Sequence, residues 1–351
     1  MSKLESAARR IWRILPKRVV NAPVAVHIKR EALTRFRGGD APPVERVVHT
    51  LTELDEMLEM LERASAISDD ELRRGFKAFR MELDFRPPDD PYSDQYRDSV
   101  LQLYEWLHGK PYSIENEDSV FDVARAVDIP FPYTTRSAST VGDHLIAVGH
   151  VIRTLDLPPG SRVLEFGPGW GNTTVALAQM GLDVTAIDIS PRFVDLIKAR
   201  AARVNAHIET LVGDFAMIHE IEGKYDAVLF FECFHHCPNH LDLLSGLDRV
   251  VAPGGRVLFA AEPIYKWFPV PWGLRLDGES LWAIRRNGWF ELGFRRSYFL
   301  QALDRYGWNA DRADCSATPW GEILVATRRI DHPQPRRRGA GGLLRSQRPM
   351  A

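Results

Sequence analysis

Three glycines follow an apolar segment near the middle of the chain. The segment is Val163-Leu-Glu-Phe-Gly-Pro-Gly-Trp-Gly-Asn172, so Gly167, Gly169 and Gly171 occupy alternate positions. The apolar start predicts a buried strand, and residues 173–180 predict a helix directly after it. Glycines at such a turn permit positive φ and let a ligand approach the backbone, and the helix start offers unpaired N–H groups. The stretch therefore predicts a loop that binds a nucleotide-type ligand.

Acidic residues at three predicted strand ends distinguish this loop from a phosphate-binding one. The last glycine of a dinucleotide-binding fingerprint would fall at Asn172, so the pattern departs from that fingerprint. Glu165 precedes the glycines, while Asp188 and Asp214 end the next two strands. A carboxylate at a strand end can accept hydrogen bonds from both ribose hydroxyls, and it favours a cationic ligand over a phosphate. We therefore expect an acidic crevice.

The segment from Phe231 to His240 is a second candidate for chemistry. It holds Cys233 and Cys237 together with three histidines, a composition that suggests a metal site. However, the segment leaves a buried strand and enters a helix, so neighbouring side chains diverge, and we expect no metal. His235 or His236 is the predicted general base, because histidine accepts protons at neutral pH. Supporting or packing roles remain the alternative.

Strands and helices alternate over the second half of the chain. This pattern predicts an α/β fold with a doubly wound, mostly parallel Rossmann-like sheet, a C-terminal antiparallel hairpin and an N-terminal helical unit. The ligand crevice should lie at the strand ends where the chain changes direction across the sheet. The predicted organisation is a basic arm (1–42), a helical unit (43–137), the sheet domain (138–330) with an aromatic insert (263–293), and a disordered basic tail (331–351).

The motifs in residues 140–328 resemble those of the class I S-adenosylmethionine-dependent methyltransferases. Glu165–Gly171 is similar to that family's first motif, and Tyr225–Glu232 and Leu247–Leu258 are similar to later ones. The resemblance implies S-adenosylmethionine as the cofactor. It places Glu165 and the glycines at the methionine portion, Asp188 at the ribose, and Asp214 with Phe215 at the adenine. The implied cofactor-binding set is Glu165, Gly167, Pro168, Gly169, Gly171, Asp188, Ile189, Asp214, Phe215 and Glu232.

The aromatic insert is the expected acceptor-binding region. Residues 271–280 and 287–294 are similar to stretches in the methyltransferase domains of bacterial polysaccharide assembly, which implies O-methylation of a sugar hydroxyl on a glycan or glycolipid precursor. Aromatic faces can pack on sugar C–H surfaces, while charged side chains bind hydroxyls. Alternatively, the tryptophans form the internal core of a lid. The candidate acceptor-binding residues are Tyr133, Arg136, Trp272, Arg275 and Asp277.

Two other functions remain open at this point. One is a methyltransferase acting on a quinone, polyketide or other lipophilic small molecule. The other is a catalytically silent cofactor-binding module that docks a glycosyltransferase through the helical unit and basic arm. Nucleic acid is not an expected substrate, because no Asp/Asn-Pro-Pro-Tyr/Phe sequence follows the fourth strand and the body of the chain is acidic.

Charge is distributed unevenly along the chain. Residues 1–38 carry ten Lys/Arg and two acids, and residues 331–351 carry five Arg and one Asp, which leaves −14 for residues 39–330 of a chain with net charge −2. The basic arm could contact an anionic membrane surface or a partner. Three cysteines and the lack of a long apolar run favour the cytoplasm, with the inner membrane face as a peripheral site. A homo-oligomer is compatible with the sequence.

Overall fold

The computed structural model describes residues 46–129 and 137–329. The basic arm, the basic tail, Tyr133 and Arg136 lie outside the described residues, so the roles assigned to them stay predictions. Among the described residues, no helix is long and apolar enough to cross a membrane.

The N-terminal region is mainly helical. Its elements are β1 (Arg46–Val48), α1 (Leu51–Ile67), α2 (Asp69–Phe76), β2 (Phe79–Met81), α3 (Asp94–His108), a 3-10 helix (Ile114–Glu117) and α4 (Val123–Asp128). Thr50 and Ser68 cap α1 and α2 by accepting hydrogen bonds from backbone N–H groups one turn on. Residues 79–81 do not continue α2 but pair in parallel with β1.

Helices and strands alternate from Ala138 onward. The elements are α5 (Ala138–Leu155), β3 (Arg162–Phe166), α6 (Asn172–Gln179), β4 (Asp183–Asp188), α7 (Pro191–Arg203), β5 (Ile208–Val212), a 3-10 helix (Phe215–His219), β6 (Tyr225–Phe231), a 3-10 helix (Phe234–His236), α8 (His240–Val250) and β7 (Val251–Ala260).

The aromatic insert has secondary structure of its own. It contains β8 (Ile264–Tyr265), β9 (Trp272–Leu274), α9 (Gly278–Asn287) and β10 (Leu292–Arg295). The central strand β10 pairs in parallel with β8 and antiparallel with β9. The chain then continues through α10 (Arg296–Arg305) to the hairpin of β11 (Trp308–Asp314) and β12 (Glu322–Arg328).

A seven-stranded sheet organises the fold. Its order is β11-β12-β7-β6-β3-β4-β5, and β12 runs antiparallel to both of its neighbours while the other pairings are parallel. The predicted α/β architecture with a C-terminal antiparallel hairpin is confirmed. The chain enters the sheet at β3, then builds β4 and β5 on one side and β6 on the other, so the switch point lies between β3 and β6.

The two faces of the sheet bury different partners. One face packs against α5 and α6 through residues such as Val151, Leu155 and Leu177. The other face belongs to a larger apolar cluster that also takes in Tyr96 and Tyr104 of α3 and Trp272 of the insert. The Tyr96 hydroxyl donates to the Trp272 carbonyl at 2.8 Å. The N-terminal region and the insert therefore share one core with the sheet.

Candidate active site

A cavity of about 280 Å³ opens at the carboxyl ends of β3, β4 and β6. This is the crevice that the sheet topology predicts. Its walls combine the glycine loop, the strand-end acids, the 3-10 helix at the end of the N-terminal region, and one residue of the insert. The lining residues used below are Ile114, Glu117, His144, Glu165, Gly167, Pro168, Gly169, Asp188, Ile189, Asp214, Phe215, Phe231, Glu232, His236 and Trp289.

The glycine loop needs its glycines for two reasons. Gly167, Gly169 and Gly171 have φ of 58°, 51° and 71°, in the left-handed region that side chains rarely adopt. A Cβ at Gly167 would lie 2.6 Å from the Cys233 Cβ, whereas one at Gly169 would meet no atom within 4 Å. The space beside the Gly169 backbone is thus free for a ligand. Gly171 corrects the prediction, since it caps α6 against Ile197 and does not line the cavity.

Two buried carboxyl groups lie beneath the loop. Glu165 is 2% exposed and Asp188 is 5% exposed. Asp188 Oδ2 accepts from the Gly169 N–H at 3.0 Å, and its Oδ1 accepts from the Ser190 N–H at 2.9 Å. Glu165 Oε2 has no hydrogen-bond partner among the described residues. Burial raises the pKa of Glu165 to about 7 and that of Asp188 to about 6, because it disfavours the ionised form. A cationic ligand beside either group would favour that ionised form again.

The third acid, Asp214, borders the same cavity. Its Oδ1 accepts from the Ala216 N–H at 2.7 Å and so caps the following 3-10 helix. Phe215 packs beside it with its ring centroid 5.8 Å from that of Phe166. Ile189 also lines the cavity wall. The residues predicted for the adenine and ribose therefore lie along one side of one cavity.

Glu232 and His144 flank the other side. Glu232 follows β6 with φ of 53°, an unusual conformation for a residue with a side chain. Burial raises its pKa to about 7. His144 comes from α5, stacks on Phe231 at 5.8 Å between ring centroids, and keeps a buried Nδ1 without a hydrogen-bond partner among the described residues. This wall therefore offers two polar groups to a ligand.

His236, Glu117 and Trp289 form what we call the acceptor end of the cavity. His236 Nδ1 lies 3.3 Å from Glu117 Oε2, and the Trp289 ring stands edge-on to His236 at 6.0 Å between centroids. Glu117 Oε1 accepts from the Phe290 N–H at 2.8 Å, which fixes the carboxyl group. Burial raises the pKa of Glu117 to about 8, while burial and the charge of His235 lower the pKa of His236. Both groups are therefore largely uncharged at neutral pH.

His235 differs from its neighbour because it does not line the cavity. Its Nδ1 lies 2.8 Å from Glu262 Oε2, and its Nε2 lies 3.8 Å from Glu291 Oε2. Burial alone would lower the pKa of His235, but the charges of Glu262 and Glu291 outweigh it and raise that pKa. Of the two predicted bases, only His236 reaches the cavity.

The three described acceptor candidates also lie away from the cavity lining, which corrects the prediction. Trp272 is 1% exposed in the core, where its indole N–H donates to the Pro91 carbonyl at 2.8 Å. Arg275 Nε lies 3.1 Å from Asp277 Oδ2, and Asp277 caps α9 by accepting from the Ser280 N–H at 3.1 Å. Arg275 and Asp277 thus stabilise the insert itself, in accordance with the lid-core alternative.

Among the residues of the cavity wall that sequence reasoning missed are Glu117, His144 and Trp289. Glu117 and His144 come from segments without a recognisable motif, and Trp289 is one of four tryptophans in the insert. The insert's aromatic content was the available signal, but spacing alone could not tell Trp289 from Trp272. Glu117 and His144 gave no local signal.

Comparison with known proteins fits the geometry. Residues 164–259 match the family model described as a methyltransferase domain. Over these residues the chain carries a methyltransferase domain. The family resemblance proposed from the motifs is confirmed, and S-adenosylmethionine is the cofactor of this domain. The cavity suits that group, since its sulfonium and ammonium would face Glu165, whose Oε2 is buried without a partner among the described residues.

Curated relatives overlap the same region. The chain is 30% identical over 103 residues to a ubiquinone biosynthesis O-methyltransferase of Xanthomonas campestris pv. campestris (strain B100), covering 29% of this chain and 43% of the relative. It is 33% identical over 107 residues to a demethylmenaquinone methyltransferase of Tropheryma whipplei (strain Twist), covering 30% of this chain and 44% of the relative. The chain thus spans less than half the length of these relatives.

Solved structures overlay the sheet domain partially. The putative methyltransferase in complex with the Haloferax volcanii Trm112 activator has a TM-score of 0.43 at 17% identity, over 60% of this chain and 99% of that one. A SAM-dependent methyltransferase from Aquifex aeolicus has a TM-score of 0.40 at 16% identity, over 59% of this chain and 97% of that one. The sheet order, rather than these overlays, defines the fold.

Proposed function

We propose that this protein is an S-adenosylmethionine-dependent O-methyltransferase that acts on the hydroxyl group of a small, lipophilic acceptor. The observation that carries the proposal is the continuity of one cavity from Asp188 and Glu165 to His236 and Glu117. A cofactor-binding wall and a proton-accepting end in one cavity are the parts that methyl transfer to oxygen requires.

The cofactor wall would orient the donor. Asp188 would accept hydrogen bonds from the ribose hydroxyls, Asp214 would bind the adenine amino group, and Glu165 would face the cationic portion. When bound, the cofactor supplies a methyl group on a positively charged sulfur, which is already activated for transfer. Alignment of the acceptor oxygen with the methyl group and sulfur then provides most of the acceleration.

The acceptor end would activate the hydroxyl. The new bond joins the acceptor oxygen to the methyl carbon, the carbon–sulfur bond breaks with its electron pair left on sulfur, and the hydroxyl proton must go to the protein. His236 borders the cavity and is the group we propose to receive that proton. Glu117, 3.3 Å away, would orient the imidazole.

A lipophilic acceptor fits this end better than a sugar. Ile114, Phe231 and Trp289 contribute apolar surface there, whereas Trp272, Arg275 and Asp277, which supported the sugar hypothesis, do not line the cavity. The curated relatives carry names from ubiquinone and menaquinone chemistry. We therefore place a phenolic or quinol-type hydroxyl ahead of the sugar hydroxyl.

An acceptor panel tests the proposal. The purified full chain would be given S-adenosylmethionine with hydroquinones, simple phenols, or rhamnose- and mannose-containing oligosaccharides, and S-adenosylhomocysteine and methylated product would be measured. We expect transfer to phenolic or quinol acceptors. Transfer to oligosaccharides alone would restore the sugar hypothesis. Tight cofactor binding without product from any acceptor, including a cell extract, would instead support the silent-module alternative.

A further inference from the structure

A buried polar cluster adjoins the acceptor end. The ligand atoms of His235, His236 and Glu291 all lie within 4.8 Å of one another. His235 and Glu291 are 7% and 6% exposed, and His236 borders the cavity. Two imidazoles and a carboxylate in such a group form the donor set that binds first-row divalent metal ions.

The surroundings of His235 hold it in an orientation suited to metal binding. Glu262 Oε1 accepts from the Cys233 and Phe234 N–H groups, both at 2.9 Å, so this carboxylate is fixed. Its Oε2 lies 2.8 Å from His235 Nδ1, which therefore carries the donated proton. In metal sites, a carboxylate commonly accepts a hydrogen bond from the histidine nitrogen that does not bind the metal, and this orients the ring. The Nε2 atom is left to face Glu291.

The gap between His235 Nε2 and Glu291 suits a positive charge, either a metal ion or the proton of an imidazolium. The 3.8 Å between Nε2 and Glu291 Oε2 would otherwise set a nitrogen lone pair against a carboxylate. Arg275 Nη1 donates to the same Oε2 at 3.3 Å, but this guanidinium is shared with Asp277, so one positive group serves two carboxylates. The cluster thus has more carboxyl groups than guanidinium groups. Apart from Glu117, which is largely uncharged at neutral pH, its carboxyl groups are those of Glu262, Asp277 and Glu291.

We propose that His235 Nε2, His236 and Glu291 bind a divalent transition-metal ion, with Zn²⁺ as the probe. Three protein ligands leave a position open, and His236 places that position at the cavity. The ion would bind the acceptor oxygen and lower the pKa of its hydroxyl, whose proton would then pass to water in the cavity. This role rests on the proposed function. In it, His236 is a metal ligand and not the general base. The cysteines of this segment take no part, since Cys233 Sγ donates to the Phe166 carbonyl at 3.0 Å.

Metal content and affinity test the site without reference to activity. The full chain would be stripped with a chelator and titrated with Zn²⁺ against a chromophoric competitor, and Co²⁺ would be added to look for its ligand-field absorption. We expect one ion per chain. Glu291→Gln and His235→Gln should abolish tight binding, and Glu262→Gln should weaken it about tenfold to a hundredfold through the supporting carboxylate. Glu279→Gln, an exposed acid of the same insert, should match the unmodified chain.

The alternative occupant is a proton, which would make His235 an imidazolium between two carboxylates. Each variant would be checked for folding by circular dichroism. Zn²⁺ should raise the Tm of the unmodified chain and of Glu279→Gln, raise that of Glu262→Gln less, and leave that of Glu291→Gln and His235→Gln unchanged. Equal Zn²⁺ uptake by the unmodified chain and Glu291→Gln overturns the ion site. If methyl transfer then persists in the presence of chelator, the proposed function stands with His236 as the base. If no transfer occurs with or without Zn²⁺, the result counts against the proposed function itself.

Discussion

Glu117 Oε2 and His236 Nδ1 lie 3.3 Å apart although their residues belong to different parts of the fold. Glu117 ends a 3-10 helix of the N-terminal region, and His236 ends a 3-10 helix that follows β6 of the sheet. The N-terminal region thus contributes a side chain to the cavity as well as packing against the insert. A sheet domain without that region would keep the cofactor wall and lose half of this pair.

Asp188→Asn should weaken S-adenosylmethionine binding by more than tenfold. The amide offers only one acceptor oxygen and no charge, and hydrogen bonds to a charged group contribute about 1.5–3 kcal/mol. Isothermal titration calorimetry measures the effect. Asp183→Asn, an exposed acid at the start of the same strand, is the matched control and should bind normally. Equal affinities for the two variants would remove the ribose assignment.

Cofactor binding should depend on pH through Glu165 and Asp188. Their pKa values are raised to about 7 and about 6 by burial, so both are protonated well below pH 6 and cannot complement a cation. A raised pKa in an acid means that folding stability without cofactor falls as pH rises through that value. The increase in Tm on adding S-adenosylmethionine should therefore be larger near pH 8 than near pH 5. A pH-independent increase would show that neither carboxylate contacts the cofactor.

His236→Gln should lower kcat about a hundredfold to ten-thousandfold while cofactor affinity stays unchanged, because the residue acts at the acceptor end. Single-turnover methyl transfer with the best acceptor of the panel measures the loss. His219→Gln, an exposed histidine paired with Asp242, is the control and should turn over normally. Near-normal turnover by His236→Gln would exclude it both as a base and as an essential ligand.

Trp289→Ala and Trp272→Ala should fail in different ways. Trp289 lines the cavity, so its loss should raise the KM for the acceptor about threefold to tenfold, from the roughly 0.5–1.5 kcal/mol of an aromatic contact. Trp272 is buried in the core, so its loss should cost about 3–5 kcal/mol of unfolding free energy. Acceptor kinetics and denaturant titration separate the two effects. A change in KM without destabilisation for Trp272→Ala would contradict its assignment to the core.

The cofactor wall could be predicted from the sequence because its parts are local. Glu165 and Asp188 lie in the last two residues of their strands, and Asp214 follows its strand by two residues. Parallel strands bring their carboxyl ends to one edge of the sheet, so these acids had to converge. Gly171 was misplaced for a related reason: the glycine spacing shows where the turn is but not which glycine faces the ligand. That depends on Ile197 of α7, which lies against it.

The acceptor end could not be predicted because no single segment forms it. Glu117, His236 and Trp289 come from three distant stretches, and their meeting depends on how the N-terminal region and the insert pack on the sheet. The insert's own strands are two to four residues long, too short to show a period of two. From the sequence alone, Trp272 and Trp289 were therefore equally good candidates for the cavity wall.

The hydrogen bond from the Tyr104 hydroxyl to the Gly288 carbonyl has a consequence for the order of folding. These residues are 184 positions apart, whereas the strands that carry Glu165 and Asp188 are neighbours in the chain. Closing a long loop costs more entropy than closing a short one, and non-local contacts form late. The cofactor wall should thus form first, and α3 should pack in its native position only after the insert has been synthesised. The last step of folding then completes the acceptor end of the cavity.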